Sequence, residues 1–260
     1  MCGIGAFQIV NSEVDPSKVA RVLLRLLEQR GQDASGVAWH DNGDTYLCKD
    51  NCAGKQLAKR LPSDVGATGI VHTRWATKGD PANNLNNHPI DVGGLIGVHN
   101  GHISNDDALI ALAHPYERQA QVDSEALFAV LAHAPEGWSL EDRVEQVRGN
   151  CAMLWLESYD STETLHGARL TTSPLWFGQT VSGSFLFAST LGILKETAHR
   201  CDMDLEYIHE VPEGTYVRCQ AGILTEMKAL PIPEPLFTYG RTKHLPDYSR
   251  PSAFSNTRLF

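Results

Sequence analysis

What most constrains the fold of this 260-residue chain is the order of its hydrophobic patterns. Short strand-like runs come in two blocks with helical patterns between them, and there is no regular strand–helix–strand alternation. The first block reads as strands at 3–10, 35–40, 45–50, 68–73 and 95–100, with one helix early and a small one around "KQLAKRL". Asp15 and Pro16 supply an N-cap and a first-turn proline for the early helix, which carries Val19, Val22, Leu23, Leu26 and Leu27 on one face and stops at Gly31. Helical patterns follow at 105–114, at 124–134 with Asp123 or Ser124 as cap, and at 139–148. Strand patterns resume at 151–158, 164–170, 174–180 and 185–190, with a hairpin turn at 182–184. A helix at 191–200 and strands near 205–211 and 214–226 complete the body. Strands in such blocks pair antiparallel. Two groups separated by helices suit two sheets stacked face to face with helices outside.

Composition narrows the class. At 42% hydrophobic and 20% charged residues the chain is long enough for one large core or two modest ones. A net charge of -9 argues against a general nucleic-acid footprint, which needs clustered Lys and Arg. No run approaches the roughly 18 apolar residues of a membrane span, and the first residues lack a secretory pattern, so a cytoplasmic protein without a membrane or nucleic-acid partner is expected. The six cysteines are dispersed, which requires no disulfide framework. Cys48 and Cys52 form the one close pair and have neither a second pair nor a histidine pattern, so no metal site is expected. No Walker-type phosphate loop occurs, since "GGLIG" lacks the lysine. After Lys228 the composition shifts, with five of the thirteen prolines in the last segment. The chain therefore divides into a domain over 2–227 and a Pro- and aromatic-rich strap or tail over 228–260, with Phe237, Tyr239, Tyr248, Phe254 and Phe260 in the latter.

The polar clusters carry the chemistry. Cys2 stands directly behind the initiator methionine, a poor place for a packed thiol because chain ends fray, and a good place for a nucleophile once Met1 is removed. "RGQDASG" (30–36), "HTRWATKGDP" (72–81), "NNHP" (86–89), "HNGHISN" (99–105) and "VDSEAL" (122–127) all fall at strand ends and loops, where catalytic groups tend to be placed. Singly, each has an ordinary structural explanation: Arg74 in a surface ion pair, Asn100-Gly101 as a turn, Asp123 as a helix cap, Trp75 as a packed aromatic.

Together with Cys2 the set resembles, in order and spacing, the glutaminase domain of class-II glutamine amidotransferases, members of the N-terminal nucleophile (Ntn) hydrolases. It is most similar to the domain found in glucosamine-6-phosphate synthase. The matching features are Cys2-Gly3-Ile4, Arg30-Gly31 with Asp33 and Gly36, His72-Thr73-Arg74-Trp75-Ala76-Thr77, His99-Asn100-Gly101 and Asp123-Ser124-Glu125. Ser173-Pro174-Leu175 and Phe187-Ala188-Ser189 match later, so the resemblance covers about 2–225. It implies an α+β fold, a four-layer αββα sandwich of two mainly antiparallel sheets. It also implies hydrolysis of the glutamine side-chain amide without a cofactor. Cys2 would attack and its own α-amine would relay the proton, since an α-amine of pKa roughly 7.7–8.0 is neutral enough near pH 7 to accept one. Asn100 and the Gly101 amide would form the oxyanion hole. Arg74 would grip the α-carboxylate of glutamine as a bidentate pair and Asp123 its α-ammonium. Trp75 and Thr77 would shape the pocket, Arg30 would buttress the first strand, and His72 and His99 would support the site.

Two departures fall outside that catalytic set. Lys78 stands where the synthase-type motif carries a second histidine, and Gln32 and Ala34 replace residues common in the 30–36 motif. The expected function is that of an amidotransferase subunit passing ammonia to a separate synthase chain. An independent amidohydrolase of a γ-glutamyl or related amide, and a non-catalytic glutamine-sensing or assembly scaffold, are the alternatives.

Overall fold

The computed structural model describes residues 1–158 and 162–232. Its elements, in chain order, begin with β1 (Gly3–Gln8), α1 (Pro16–Leu27), β2 (Ala34–Asp41), β3 (Asp44–Asp50), α2 (Gly54–Arg60), β4 (Thr68–Arg74), β5 (Ile90–Asp91) and β6 (Leu95–Ile103). Three helices follow, α3 (Asp106–Leu112), α4 (Asp123–His133) and α5 (Leu140–Glu145). The remainder is β7 (Gly149–Glu157), β8 (Leu165–Arg169), β9 (Trp176–Thr180), β10 (Phe185–Ala188), α6 (Leu191–Cys201), β11 (Leu205–Glu210), β12 (Thr215–Gln220) and β13 (Ile223–Ala229).

These strands form a seven-stranded sheet, β11-β9-β10-β1-β4-β2-β3, and a six-stranded sheet, β13-β12-β8-β7-β6-β5, and each pairing among the described residues is antiparallel. Three apolar cores separate four layers. Leu23, Leu24 and Leu27 of α1 with Leu57 of α2 and Leu194 of α6 bury against Phe7, Val37 and Val71 on the outer face of the first sheet. Ile4, Ile70, Phe185 and Phe187 meet Val98, Leu154 and Val217 between the sheets. Phe128 and Leu127 of α4 with Leu109 of α3 cover Met153 and Trp155 on the far face of the second. The expected αββα sandwich of two stacked sheets is the fold observed.

Local chemistry explains the element boundaries. The Asp15 carboxylate caps α1 by accepting from the Ser17 amide at 2.9 Å, as its sequence signal predicts. Of the predicted apolar face, Val19, Val22, Leu23 and Leu27 are buried, whereas Leu26 is only partly so and Leu24 takes the inward position. The predicted strand at 214–226 divides into two, because Ala221 and Gly222 (φ 49° and 77°) both adopt the left-handed conformation that reverses a hairpin. The strand predicted at 95–100 runs on to Ile103, held by β7 down to the Ile103–Gly149 pair. Asn100-Gly101 therefore lies within a paired strand and is not a turn. The last strand continues to Ala229, two residues past the predicted domain boundary at 227. Of the predicted strap, 233–260 lies outside the described residues.

Candidate active site

The end of β1 that carries Cys2 is tied down on several sides. The Cys2 carbonyl accepts from Arg30 Nε at 2.9 Å, Gly3 pairs with Thr73 on β4, and Ile4 bonds the Ser189 hydroxyl at 2.8 Å. Gly31 allows the chain after α1 to press against the end of β4, since a Cβ there would fall 2.3 Å from the Arg74 carbonyl carbon. Cys2 is thus a half-buried residue beside a fixed strand end, and its thiol donates to the Trp75 carbonyl at 3.7 Å. Burial pushes the thiol above its ordinary range, opposed by the Trp75 hydrogen bond and by the positive charges of the chain terminus and Arg74. Such a thiol needs a base before it can attack.

Arg74 ends β4 and is 3% exposed. Its Nη1 donates to Asn87 Oδ1 at 2.8 Å, and its Nη2 donates to the carbonyls of Lys78 and Gly79, the latter at 2.8 Å. The fork predicted to meet a carboxylate is therefore engaged by the protein's own oxygens. Five N–H donors on the guanidinium leave Nε and the second Nη1 hydrogen for another partner. The 75–81 segment is pinned along its length: the Ala76 amide donates to Asp33 Oδ2 (2.7 Å), and Asn86 and Asn87 donate to the carbonyls of Asp80 (2.9 Å) and Pro81 (2.8 Å). Trp75, 56% exposed, and Thr77 stand outward on this segment.

Asn100 and Gly101 lie on β6, in the sheet layered behind. His72 on β4 bridges the layers, its Nε2 donating to the His99 carbonyl at 3.3 Å. The next residue, Asn100, is 2% exposed, and its Nδ2 has no protein partner. Only glycine fits at 101: φ is 151° and a Cβ would stand 1.8 Å from the Asn150 carbonyl oxygen. Asp123 is the first residue of α4 and not its cap, because its Oδ2 turns away from the helix to accept from the Ile103 amide at 2.6 Å. Its charge reaches Cys2, Arg74 and His99.

Three buried imidazoles stand behind these groups. His72 stacks on His88 with centroids 4.1 Å apart, and His99 donates through Nε2 to the Asn150 carbonyl (3.3 Å) and accepts at Nδ1 from Ser124 Oγ (3.0 Å). Burial lowers all three, His72 to about 3. All three are therefore neutral near pH 7. The geometry gathers Cys2, Arg30, His72, Arg74, Trp75 and Asp33 at one end of the first sheet, with His99, Asn100 and Asp123 in the adjoining layer. Sequence reasoning gave no role to Asn87, which anchors Arg74, or to His88, although both lie in the polar "NNHP" cluster it noted.

Comparison with known proteins finds relatives of this chain. Residues 75–196 match a family described as a glutamine amidotransferase domain. The chain is 34% identical over 214 residues to the glutamine–fructose-6-phosphate aminotransferase (isomerizing) of Vibrio vulnificus, a match spanning 76% of this chain and 33% of that protein. It is 36% identical over 236 residues to the protein of the same name from Haemophilus influenzae, spanning 83% of this chain and 36% of that one. The chain thus spans about a third of the length of the curated relatives it matches. Among solved structures, the glutamine phosphoribosylpyrophosphate amidotransferase of B. subtilis superposes with a TM-score of 0.71 at 18% identity, over 88% of this chain and 49% of that one, which shows a shared fold.

Proposed function

The chain carries a class-II glutamine amidotransferase domain with the Ntn-hydrolase fold, and from that premise we propose that it hydrolyses the side-chain amide of glutamine through a thioester on Cys2. With Met1 removed, the free α-amine of Cys2 accepts the thiol proton as sulfur attacks the amide carbon. The tetrahedral oxyanion forms against Asn100 Nδ2 and the Gly101 amide. The same amine returns the proton to the departing nitrogen, so ammonia leaves and a thioester remains. Water then cleaves the thioester to glutamate and regenerates the thiol.

The observation that carries this reading is Asn100 Nδ2, a buried donor with no protein acceptor. Leaving such a donor unsatisfied costs about 1–3 kcal/mol, a cost recovered when a substrate oxygen arrives. Arg30 holds the Cys2 carbonyl and so fixes the nucleophile. Asp123 receives the α-ammonium, while Arg74 meets the α-carboxylate with one N–H that it does not spend on Asn87, Lys78 and Gly79. Trp75 and Thr77 border the entrance, and neutral His72 and His99 brace the strand ends. We place the ammonia acceptor on a separate synthase chain and the protein in the cytoplasm.

The test is release of glutamate and ammonia from glutamine by the wild type and by Cys2→Ala. The wild type hydrolyses glutamine and Cys2→Ala does not, yet the variant still binds glutamine by calorimetry. Residual turnover in Cys2→Ala would contradict the thioester. Preference for a substituted amide over glutamine would point to an independent amidohydrolase.

A further inference from the structure

Lys78 is held at both ends. Its carbonyl accepts from Arg74 Nη2, and its ammonium lies 2.5 Å from Asp106 Oδ2 at the start of α3. Asp106 is 7% exposed and is held in turn by Arg118 Nη1 at 2.8 Å, while Arg118 Nη2 reaches Asp107 at 3.1 Å. An ion pair on the Lys78 side chain and a hydrogen bond to its backbone carbonyl thus connect α3 to the guanidinium of Arg74. The neighbouring carbonyl of Gly79 shares the same Nη2. Among the described residues the Asp106 carboxylate is the partner of the Lys78 ammonium, and the Lys78 side chain is 42% exposed.

We propose that Lys78 and Asp106 are positioning residues for substrate binding: their ion pair fixes the 78–79 carbonyls, which fix the rotation of Arg74 and aim one of its remaining N–H donors at the α-carboxylate of glutamine. The proposal rests on the glutaminase reading above. The physical argument is pre-organisation. A guanidinium is a rigid planar fork, so two carbonyls bonded to one nitrogen determine where its other hydrogens point. Those carbonyls belong to a surface segment, and the Lys78–Asp106 pair is the side-chain contact that joins its middle to a helix. Asp106 is nearly buried and bonded to two cations, so its half of the latch is fixed in advance. Without the ammonium the segment keeps its backbone bonds to Asn86 and Asn87 but loses the tie that holds the 78 carbonyl against Arg74.

The experiment compares Lys78→Met, Lys78→Arg, Asp106→Asn and the Lys78→Met/Asp106→Asn double variant in the full chain. Two readouts are taken: steady-state glutamine hydrolysis, and the rates of Cys2 alkylation by a diazo-ketone glutamine analogue and by iodoacetamide, which has no α-carboxylate. Lys78→Met and Asp106→Asn each raise KM for glutamine about tenfold with kcat within about threefold, because the lost contact serves ground state and transition state alike. The double variant is no worse than the poorer single, as expected for one shared interaction, and Lys78→Arg restores most of the affinity. The analogue's rate falls in step with KM while the iodoacetamide rate is unchanged. An unchanged KM in an active Lys78→Met protein, or a parallel fall in both alkylation rates, overturns the latch and leaves the glutaminase reading standing. A wild type that neither hydrolyses glutamine nor takes up the analogue overturns that reading itself.

Discussion

Cys2 answers the problem of a thiol at a chain end: Arg30, Thr73 and Ser189 hold the strand that carries it, so the residue is fixed although Met1 beside it is 76% exposed. The complementary residue is Asn100. Its identity was legible in the His99-Asn100-Gly101 motif and 95–100 was read as a strand, but the continuation through Gly101 to Ile103 was not legible, because Asn-Gly is a common turn dipeptide. Pairing with β7 overrides the local preference. The role assigned to Asn100 makes a sharp kinetic prediction. Asn100→Ala removes a donor that acts on charge developing in the transition state, so kcat falls by about 10²–10³ while KM for glutamine changes little. Steady-state kinetics decide it, and a variant that retains kcat would remove Asn100 from the oxyanion hole. Arg74 was legible as a candidate residue in the 72–77 motif. Its use of three N–H bonds on the protein was not, because the carbonyls of residues 78 and 79 depend on how the segment folds back.

The elements that position the site are β4 and β6, which face each other across the two sheets through the His72–His99 carbonyl bond. The imidazoles of His72, His88 and His99 are buried beside them. Each is held neutral in the fold at a pH where histidines of an unfolded chain, with a pKa near 6.5, begin to take up protons. Below about pH 6.5 the unfolded chain binds more protons than the native one, so acidification destabilises the fold, and for His72 this continues towards its native value of about 3. The midpoint of thermal unfolding accordingly falls as pH drops from 7.5 to 5, and falls less in His88→Phe. A midpoint flat across that range would show these histidines exposed or charged. Most elements were legible, because Pro16, Asp15 and the 3.6-residue apolar period are local signals. β5 was not, since two residues carry no period. The capping role read for Asp123 failed because a carboxylate at a helix start satisfies whichever amide is nearer, here that of Ile103.

At the scale of the whole molecule, the two blocks of strands in the sequence do not map onto the two sheets. The first sheet takes β9, β10 and β11 from the later block, and the second takes β5 and β6 from the earlier one. The stacked architecture was legible from the block pattern, but the exchange of strands was not, because pairings such as β1 with β10 join residues far apart in sequence and leave no periodic trace. That exchange brings β1 and β4 in front of β6, and so Cys2 and Arg74 towards Asn100. The account as a whole stands on one claim, that Cys2 becomes an N-terminal nucleophile facing a glutamine pocket. The intact mass of the purified protein, before and after incubation with an electrophilic glutamine analogue of the diazo-ketone type, tests it most directly. The account predicts a chain lacking Met1 that gains a single adduct, mapped to Cys2 by peptide sequencing and blocked by excess glutamine. A chain that keeps Met1 and gains no adduct would contradict it.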